Sequence, residues 1–216
     1  MTKSKIILLV TLIGIVITGC GFWGIRGNGR VKEEKRTIED FQRIEAGGAF
    51  TIKINVGQPT SLKITAEDNL LEYIKTNIKG NTLKIETRKN ISPRKKILIE
   101  ITTPELDFIN GSGANNITVI GIKGSEFDAS LSGAGNISLS GEVEKFKAEL
   151  SGAGNINAKE LKARDVRVSV SGAANADVYA KQSLEASVSG VGSIDYYGNP
   201  PETKTNVSGV GSISRK

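Results

Sequence analysis

The frame Asp-x-Tyr occurs twice near the C-terminus, as Asp177-Val178-Tyr179 and Asp195-Tyr196-Tyr197, eighteen residues apart. Two carboxyl groups about 5 Å apart suit a retaining glycosidase, and exposed tyrosine rings suit stacking on sugars. The four residues are therefore a candidate carbohydrate site, for binding or for cleavage. Other chemistry is scarce. The chain has no histidine, which removes the commonest general base and neutral metal ligand. Cys20 is the only cysteine, so no disulfide, paired thiol or zinc cluster can be assembled from cysteines. Serines abound, but no Gly-x-Ser-x-Gly elbow stands between a strand and a helix. No cofactor and no metal site is indicated, and no residue is assigned as catalytic. The plain structural alternative for the Asp-x-Tyr pair is a polar face with an aromatic cross-strand pair.

A second candidate is the run Arg88-Lys89-Asn90-Ile91-Ser92-Pro93-Arg94-Lys95-Lys96, with five positive charges in nine residues. Arg88, Lys89, Arg94, Lys95 and Lys96 could contact an anionic surface, either lipid headgroups or acidic glycans, or they could form a solvated hairpin loop. The formal charge of the chain is +6, and removing Lys3 and Lys5 with the leader described below takes it to +4. So modest an excess, without aromatic residues interleaved in the basic run, argues against nucleic acid as a partner.

What brings the two Asp-x-Tyr frames together is a repeat. Ser-Gly-Ala-Gly-Asn-Ile or a close variant begins at Ser112, Ser132, Ser151, Ser171, Ser189 and Ser208, at intervals of 18 to 20 residues. A fixed period means one short unit stacked on itself. Apolar residues stand one and three positions before most of the serines (Leu150 and Ala148, Val170 and Val168), with polar residues between them. They stand again five and seven positions after it (Ile137 and Leu139, Ile156 and Ala158). This period-two alternation predicts a strand into each serine and a strand out of each corner. Asn116, Asn136, Asn155 and Asn175 occupy one column, and at the strand spacing of about 4.8 Å they can form a side-chain amide ladder. The nine to eleven residues left in each repeat predict a third, less regular side.

The expected fold is all-β: a single-stranded, right-handed parallel β-helix of 19- to 20-residue rungs, with irregular N-terminal rungs. Leucine-rich repeats place leucines directly before the asparagine, and calcium-binding rolls need a nonapeptide with aspartate; neither pattern is present. In the predicted register Asp177 lies beside Asp195 and Tyr179 beside Tyr197.

The N-terminus has Lys3 and Lys5, an apolar stretch from Ile6 to Ile17, and Ile17-Thr18-Gly19-Cys20. A mostly apolar stretch of twelve residues is too short to span a bilayer and suits a secretory signal. The last four residues resemble the lipobox of bacterial lipoproteins, which implies acylation of Cys20 and cleavage before it. The predicted organisation is a signal peptide over 1–19, a lipidated cysteine and solvated tether over 20–37, and one β-helix domain over 38–216, irregular over 38–109 and regular over 110–216. A short helix is expected over Glu67 to Ile74, capped by Asp68. The resemblance implies membrane attachment by a lipid anchor. No aspartate follows Cys20 to act as an inner-membrane retention signal, which points to the outer membrane of a Gram-negative cell envelope.

Phe41-Gln42-Arg43-Ile44-Glu45-Ala46-Gly47-Gly48-Ala49-Phe50, Glu67-Asp68-Asn69-Leu70-Leu71 and the repeated Ser-Gly-Ala-Gly-Asn-Ile resemble the putative auto-transporter adhesin, head GIN domain family. The resemblance covers roughly Phe41 to Ile213. It implies a β-helix displayed at the cell envelope and brings no defined catalytic or binding residues. The first functional expectation is thus a non-enzymatic envelope lipoprotein for adhesion or glycan binding. The alternatives are a polysaccharide-active enzyme using Asp177 and Asp195, and an envelope scaffold that binds a partner protein. The chain stops at Ile213-Ser214-Arg215-Lys216 with no capping helix after the final rung, an end through which homo-oligomers could form.

Overall fold

The computed structural model describes residues 24–216. The strands in chain order are β1 (Ile25–Arg26), β2 (Val31–Arg36), β3 (Arg43–Gly48), β4 (Thr51–Val56), β5 (Ser61–Glu67), β6 (Ile74–Lys79), β7 (Thr82–Thr87), β8 (Ile91–Ser92) and β9 (Leu98–Thr103). They continue with β10 (Phe108–Gly113), β11 (Asn116–Leu131), β12 (Asn136–Leu150), β13 (Asn155–Val170), β14 (Asn175–Val188), β15 (Ser193–Tyr197), β16 (Glu202–Val207) and β17 (Ser212–Arg215). They form a parallel β-solenoid of about 5 turns. The segment expected to be a signal peptide with a lipobox, Cys20 included, lies outside the described residues. Among the described residues no helix is long and apolar enough to cross a membrane.

The repeat period becomes registration. Ile117 pairs with Ile137, Ile137 with Ile156, Ile156 with Ala176 and Ala176 with Ile194. Ala129, Ala148, Val168 and Ala186 form a second column, and Phe127, Phe146, Val166 and Leu184 a third. Every member of these columns is buried, and the Phe127 and Phe146 rings stack at 6.5 Å. The third, less regular side predicted for each rung falls inside β11 to β14, where Ile122, Lys123 and Gly124 pair with Gly141, Glu142 and Val143 between the two flanking stretches. β11 to β14 are single strands that run from one serine corner to the next and bend in mid-course, where the pairing slips between Val119 and Ile122, Ser138 and Ser140, and Ala158 and Lys162. Gly121 makes the first such bend with φ +83°, its α-carbon facing the Val56 carbonyl so closely that a Cβ would stand 2.9 Å from it.

The N-terminal end is built differently. β3 and β4 form a rung that lies between β10–β11 above and β7–β9 below, so the rungs do not stack in chain order. Below them the pairing turns antiparallel: β5 with β9, β6 with β7 and β2 with β5. β6 and β7 are joined by the tight turn at Gly80-Asn81, as antiparallel neighbours can be, while β2, β5 and β9 come together from distant segments. They fold Leu62, Ile64, Leu70, Leu71 and Ile74 over the last rung and bury them.

Two local expectations are corrected. The segment 20–37 is not a solvated tether along its described part, because β1 pairs with β8 and β2 with β5. Its mixed charges find partners there: Glu33 meets Lys63 at 3.7 Å, and Arg36 donates to the carbonyls of Ile74 and Leu71. The predicted helix over Glu67 to Ile74 shrinks to one 3-10 turn, Leu71–Tyr73, with no side-chain cap. Asp68 is engaged elsewhere, bonded to Asn28 and paired with Arg30 at 3.3 Å.

Glu67 is buried, and its carboxylate accepts backbone N–H bonds from Gly29 (2.5 Å), Arg94 (2.8 Å) and Lys95 (3.3 Å). Burial alone would raise its pKa, but the three donors bring it below the ordinary carboxylate value. A group depressed in this way contributes stability above its unfolded pKa that is lost as pH falls through the folded one. Urea midpoints measured from pH 7 to pH 3 should therefore fall less steeply for Glu67→Gln than for the parent; equal slopes would remove Glu67 from acid unfolding. At the corners, a Cβ on Gly152 would overlap the carbonyl oxygen of Gly133 on the rung below. Gly152→Ala should cost about 3 kcal/mol, read as a lowered urea midpoint.

Candidate functional site

The asparagine column forms a continuous ladder on the outside of the solenoid. Asn136 Nδ2 donates to Asn116 Oδ1 (2.8 Å), Asn155 Nδ2 to Asn136 Oδ1 (2.9 Å), Asn175 Nδ2 to Asn155 Oδ1 (3.1 Å), and Ser193 Oγ to Asn175 Oδ1 (2.8 Å). All four asparagines are exposed. Each amide has two N–H donors and two acceptor lone pairs, and the ladder uses at most one of each. A donor and an acceptor thus remain on every rung, at intervals of about 4.8 Å.

Two residues along the same strands, Ser138, Asn157, Asp177 and Asp195 make a parallel polar column. The two columns line a groove of about 550 Å³. Asp177 and Asp195 are in register on neighbouring rungs, as are Tyr179 and Tyr197. Burial first, and then the Asp195 carboxylate, push the Asp177 carboxyl above its ordinary value, against the opposing effect of Lys159 and Lys216. Asp195 is itself paired with Lys216 Nζ at 3.3 Å.

The tyrosines are not part of the groove lining. Lys162 Nζ sits 3.7 Å from the centre of the Tyr179 ring, so a cation covers one ring face. The structure therefore brings the two carboxylates together with the ladder and leaves the rings beside it.

At the foot of the ladder a smaller groove of about 300 Å³ joins Asn116 to Pro93, Arg94, Lys95 and Lys96. The wall thus has a basic end and an acidic end, with neutral amides between. Arg88 and Lys89 lie on the far side of β8, with Lys89 Nζ 5.5 Å from the Tyr73 ring. A groove of about 620 Å³ on the opposite wall is less free, because its charges satisfy one another. Arg167 and Lys204 both pair with Glu185, and Ser183 bonds Asp165.

Two residues that shape the site escaped the sequence reading. Asn115 replaces the second corner glycine in the first repeat only; it is buried, accepts from the Phe50 N–H (3.1 Å) and donates to the carbonyls of Ala46 and Ser112. Its departure from the repeat phrase was the available signal. Glu67 is the other, and it fixes the basic loop by its backbone. Nothing in its sequence neighbourhood marks it as buried.

Comparison with known proteins decides the family. Residues 40–200 match the family model described as putative auto-transporter adhesin, head GIN domain. The chain belongs to this adhesin family. A putative adhesin from Bacteroides fragilis, known from its crystal structure, is 27% identical with a TM-score of 0.74, and the match covers 89% of this chain and 100% of that one. A putative adhesin from Parabacteroides merdae is 20% identical with a TM-score of 0.56, covering 89% and 99%. A putative lipid binding protein from Parabacteroides distasonis is 24% identical with a TM-score of 0.52, again covering 89% and 99%. These last two likenesses concern the fold alone. No curated protein matches the chain. Membership of the adhesin family points to the cell surface or envelope.

Asp177 offers a test of whether the groove is optimised for stability. A carboxyl whose folded pKa is raised is costly to the fold when ionised, and that cost disappears as pH falls through the raised value. Asp177→Asn should therefore raise the thermal midpoint at pH 7, with the gain shrinking in acid. An unchanged or lowered midpoint at pH 7 would show that the carboxylate is stabilising.

Proposed function

We propose that this adhesin-family solenoid is a non-enzymatic binding module of the cell envelope, and that the groove beside the asparagine ladder takes an extended glycan. The observation that carries the reading is the unspent hydrogen-bonding capacity of Asn136, Asn155 and Asn175, repeated on rigid rungs. A hydroxyl-rich chain laid along the axis meets one amide donor and one acceptor per rung, and the ligand supplies the complementary hydroxyl groups. Asp177 and Asp195 add acceptors for sugar hydroxyls at the C-terminal end of the same groove. Their arrangement supports binding over cleavage. Glycoside hydrolysis needs carboxyl groups flanking the scissile bond, whereas these two stand side by side on one wall and Asp195 is held by Lys216.

A glycan array probed with a soluble form beginning at Gly21 tests this reading. Binding to neutral or acidic glycans should weaken about tenfold, or 1.4 kcal/mol, in Asn155→Ala and Asp177→Ala. It should be unaffected by Arg167→Ala on the opposite wall, and Tyr197→Ala reports whether the free ring contributes. Absence of binding to any glycan, or binding insensitive to both groove variants, would remove the proposal.

A further inference from the structure

The basic loop and the start of the described chain are one unit. Ile25 N–H donates to the Asn90 carbonyl (2.9 Å) and Gly27 N–H to the Ser92 carbonyl (3.0 Å), making the short parallel pair β1–β8. Gly24 packs so closely on the same backbone that a Cβ there would lie 3.1 Å from the Ile91 carbonyl carbon. Glu67 then locks both partners, accepting from Gly29 on one side and from Arg94 and Lys95 on the other. Any chain entering from the N-terminus is therefore delivered to the loop that carries the positive charge.

The distances involved are short. Cys20 precedes Gly24 by four residues, which span at most about 14 Å when fully extended. Arg88, Lys89, Arg94, Lys95 and Lys96 are all exposed. Among the described residues none of the five forms an ion pair with a carboxylate. The only carboxylate locked into the loop, Glu67, is consumed by backbone N–H groups and leaves the side chains outward. Arg26, on β1 itself, is exposed beside them.

We propose that this loop is a membrane-contact surface for anionic phospholipid headgroups, and that it holds the capped end of the solenoid against the bilayer while the C-terminal rung points away. The inference rests on the reading of Cys20 as the lipid anchor. An acyl chain fixes the end of a four-residue leash, and the leash ends at the charged loop. The diacylated cysteine that a lipobox implies already gives stable attachment by its two chains, so the polybasic contact beside it acts on the pose of the domain rather than on its retention. Each basic residue near an anionic surface is worth about 1 kcal/mol, or about fivefold in partitioning. The contact sets orientation, since a free tether would let the domain tumble and a pinned one presents the asparagine wall in a fixed pose.

The test uses the full-length protein reconstituted in vesicles of phosphatidylcholine, with or without phosphatidylglycerol. Mass spectrometry of the N-terminal peptide first reports whether Cys20 is acylated. Because Cys20 is the only native cysteine, a fluorophore can be placed uniquely through Lys95→Cys or, at the far end, Val210→Cys. Lipids carrying a headgroup quencher should quench the probe at position 95 strongly in phosphatidylglycerol vesicles, less in phosphatidylcholine alone and less at high salt. The probe at position 210 should be unquenched throughout. Adding Arg94→Ser and Lys96→Ser should reduce quenching at position 95 markedly towards the phosphatidylcholine level, with the β-sheet circular dichroism unchanged. Equal quenching at 95 and 210, or quenching at 95 indifferent to lipid charge, would overturn the proposal. If Cys20 proves unmodified, the anchor reading fails by itself. Sedimentation of the unacylated protein with phosphatidylglycerol vesicles then decides for the loop: about fivefold weaker binding per basic residue removed supports it, and no charge dependence overturns it.

Discussion

At each corner of the solenoid one glycine lies directly on another. Gly133 stands over the carbonyl of Gly113, Gly152 over Gly133, Gly172 over Gly152 and Gly190 over Gly172, each so closely that a Cβ would fall within 3 Å of the oxygen below. The backbones are hydrogen-bonded through the same corner, as in Ala134 N–H to Gly113 and Ala153 N–H to Gly133. A corner that admits no side chain allows one registration only, because a slip by a single residue would drive a Cβ into a carbonyl. The rest of the rung inherits that registration. Apolar positions fall over apolar positions, Phe127 under Phe146 and Ile137 under Ile156, and outward positions fall over outward positions.

The same registration turns single polar residues into arrays. An asparagine on an exposed strand contributes little, but the same residue on consecutive rungs orients its neighbours through side-chain bonds. The amide planes are then fixed before any ligand arrives. Rigid presentation lowers the ordering cost that association otherwise incurs, and it favours a partner that repeats at a similar interval. The opposite wall shows the contrast. Its outward column of Asp128, Lys147, Arg167, Glu185 and Lys204 carries both signs of charge, and Arg167, Glu185 and Lys204 neutralise one another across rungs. Strand stacking produces both walls, and on the second those three residues spend their charges on one another.

How much of this could be read from the chain depends on whether a feature repeats. The strands about Ser132, Ser151, Ser171 and Ser189, the inward columns and the asparagine column follow from residue types at a fixed period, and so does the meeting of Asp177 with Asp195. Features that occur once were hidden. The bends inside β11 to β14 differ in sequence from rung to rung, since a slipped register can be made by Gly121 in one place and by Lys159 to Leu161 in another. The antiparallel cap depends on pairing between distant segments, so the charged strand Val31–Arg36 looked like a solvated linker until Lys63 and the carbonyls of Leu71 and Ile74 were placed opposite it. Glu67 is an acidic residue in a polar stretch, and only the fold shows three backbone N–H groups converging on it. The interception of the Tyr179 ring by Lys162 likewise arises from the register slip, which moved a lysine opposite a tyrosine.

The two ends of the solenoid and its walls answer to different constraints, and this separates what must stay fixed from what can vary. The corner positions are held by backbone contact and the inward columns by packing. The capped end is held by Glu67 and the antiparallel strands. β16, by contrast, is exposed along its whole length, and its inward positions Thr203 and Thr205 are polar where the rungs below place Leu184 and Ala186. Thr203 and Thr205 thus put hydroxyl groups where the rung below is apolar, whereas Val207 over Val188 stays apolar and is 44% exposed. The outward column of Ser138, Asn157, Asp177 and Asp195 is bound by neither constraint. Its members differ in charge, size and hydrogen-bonding type while the strands that carry them superimpose. Specificity for one extended ligand over another can therefore be altered there one rung at a time, with the registration that makes the wall continuous left intact.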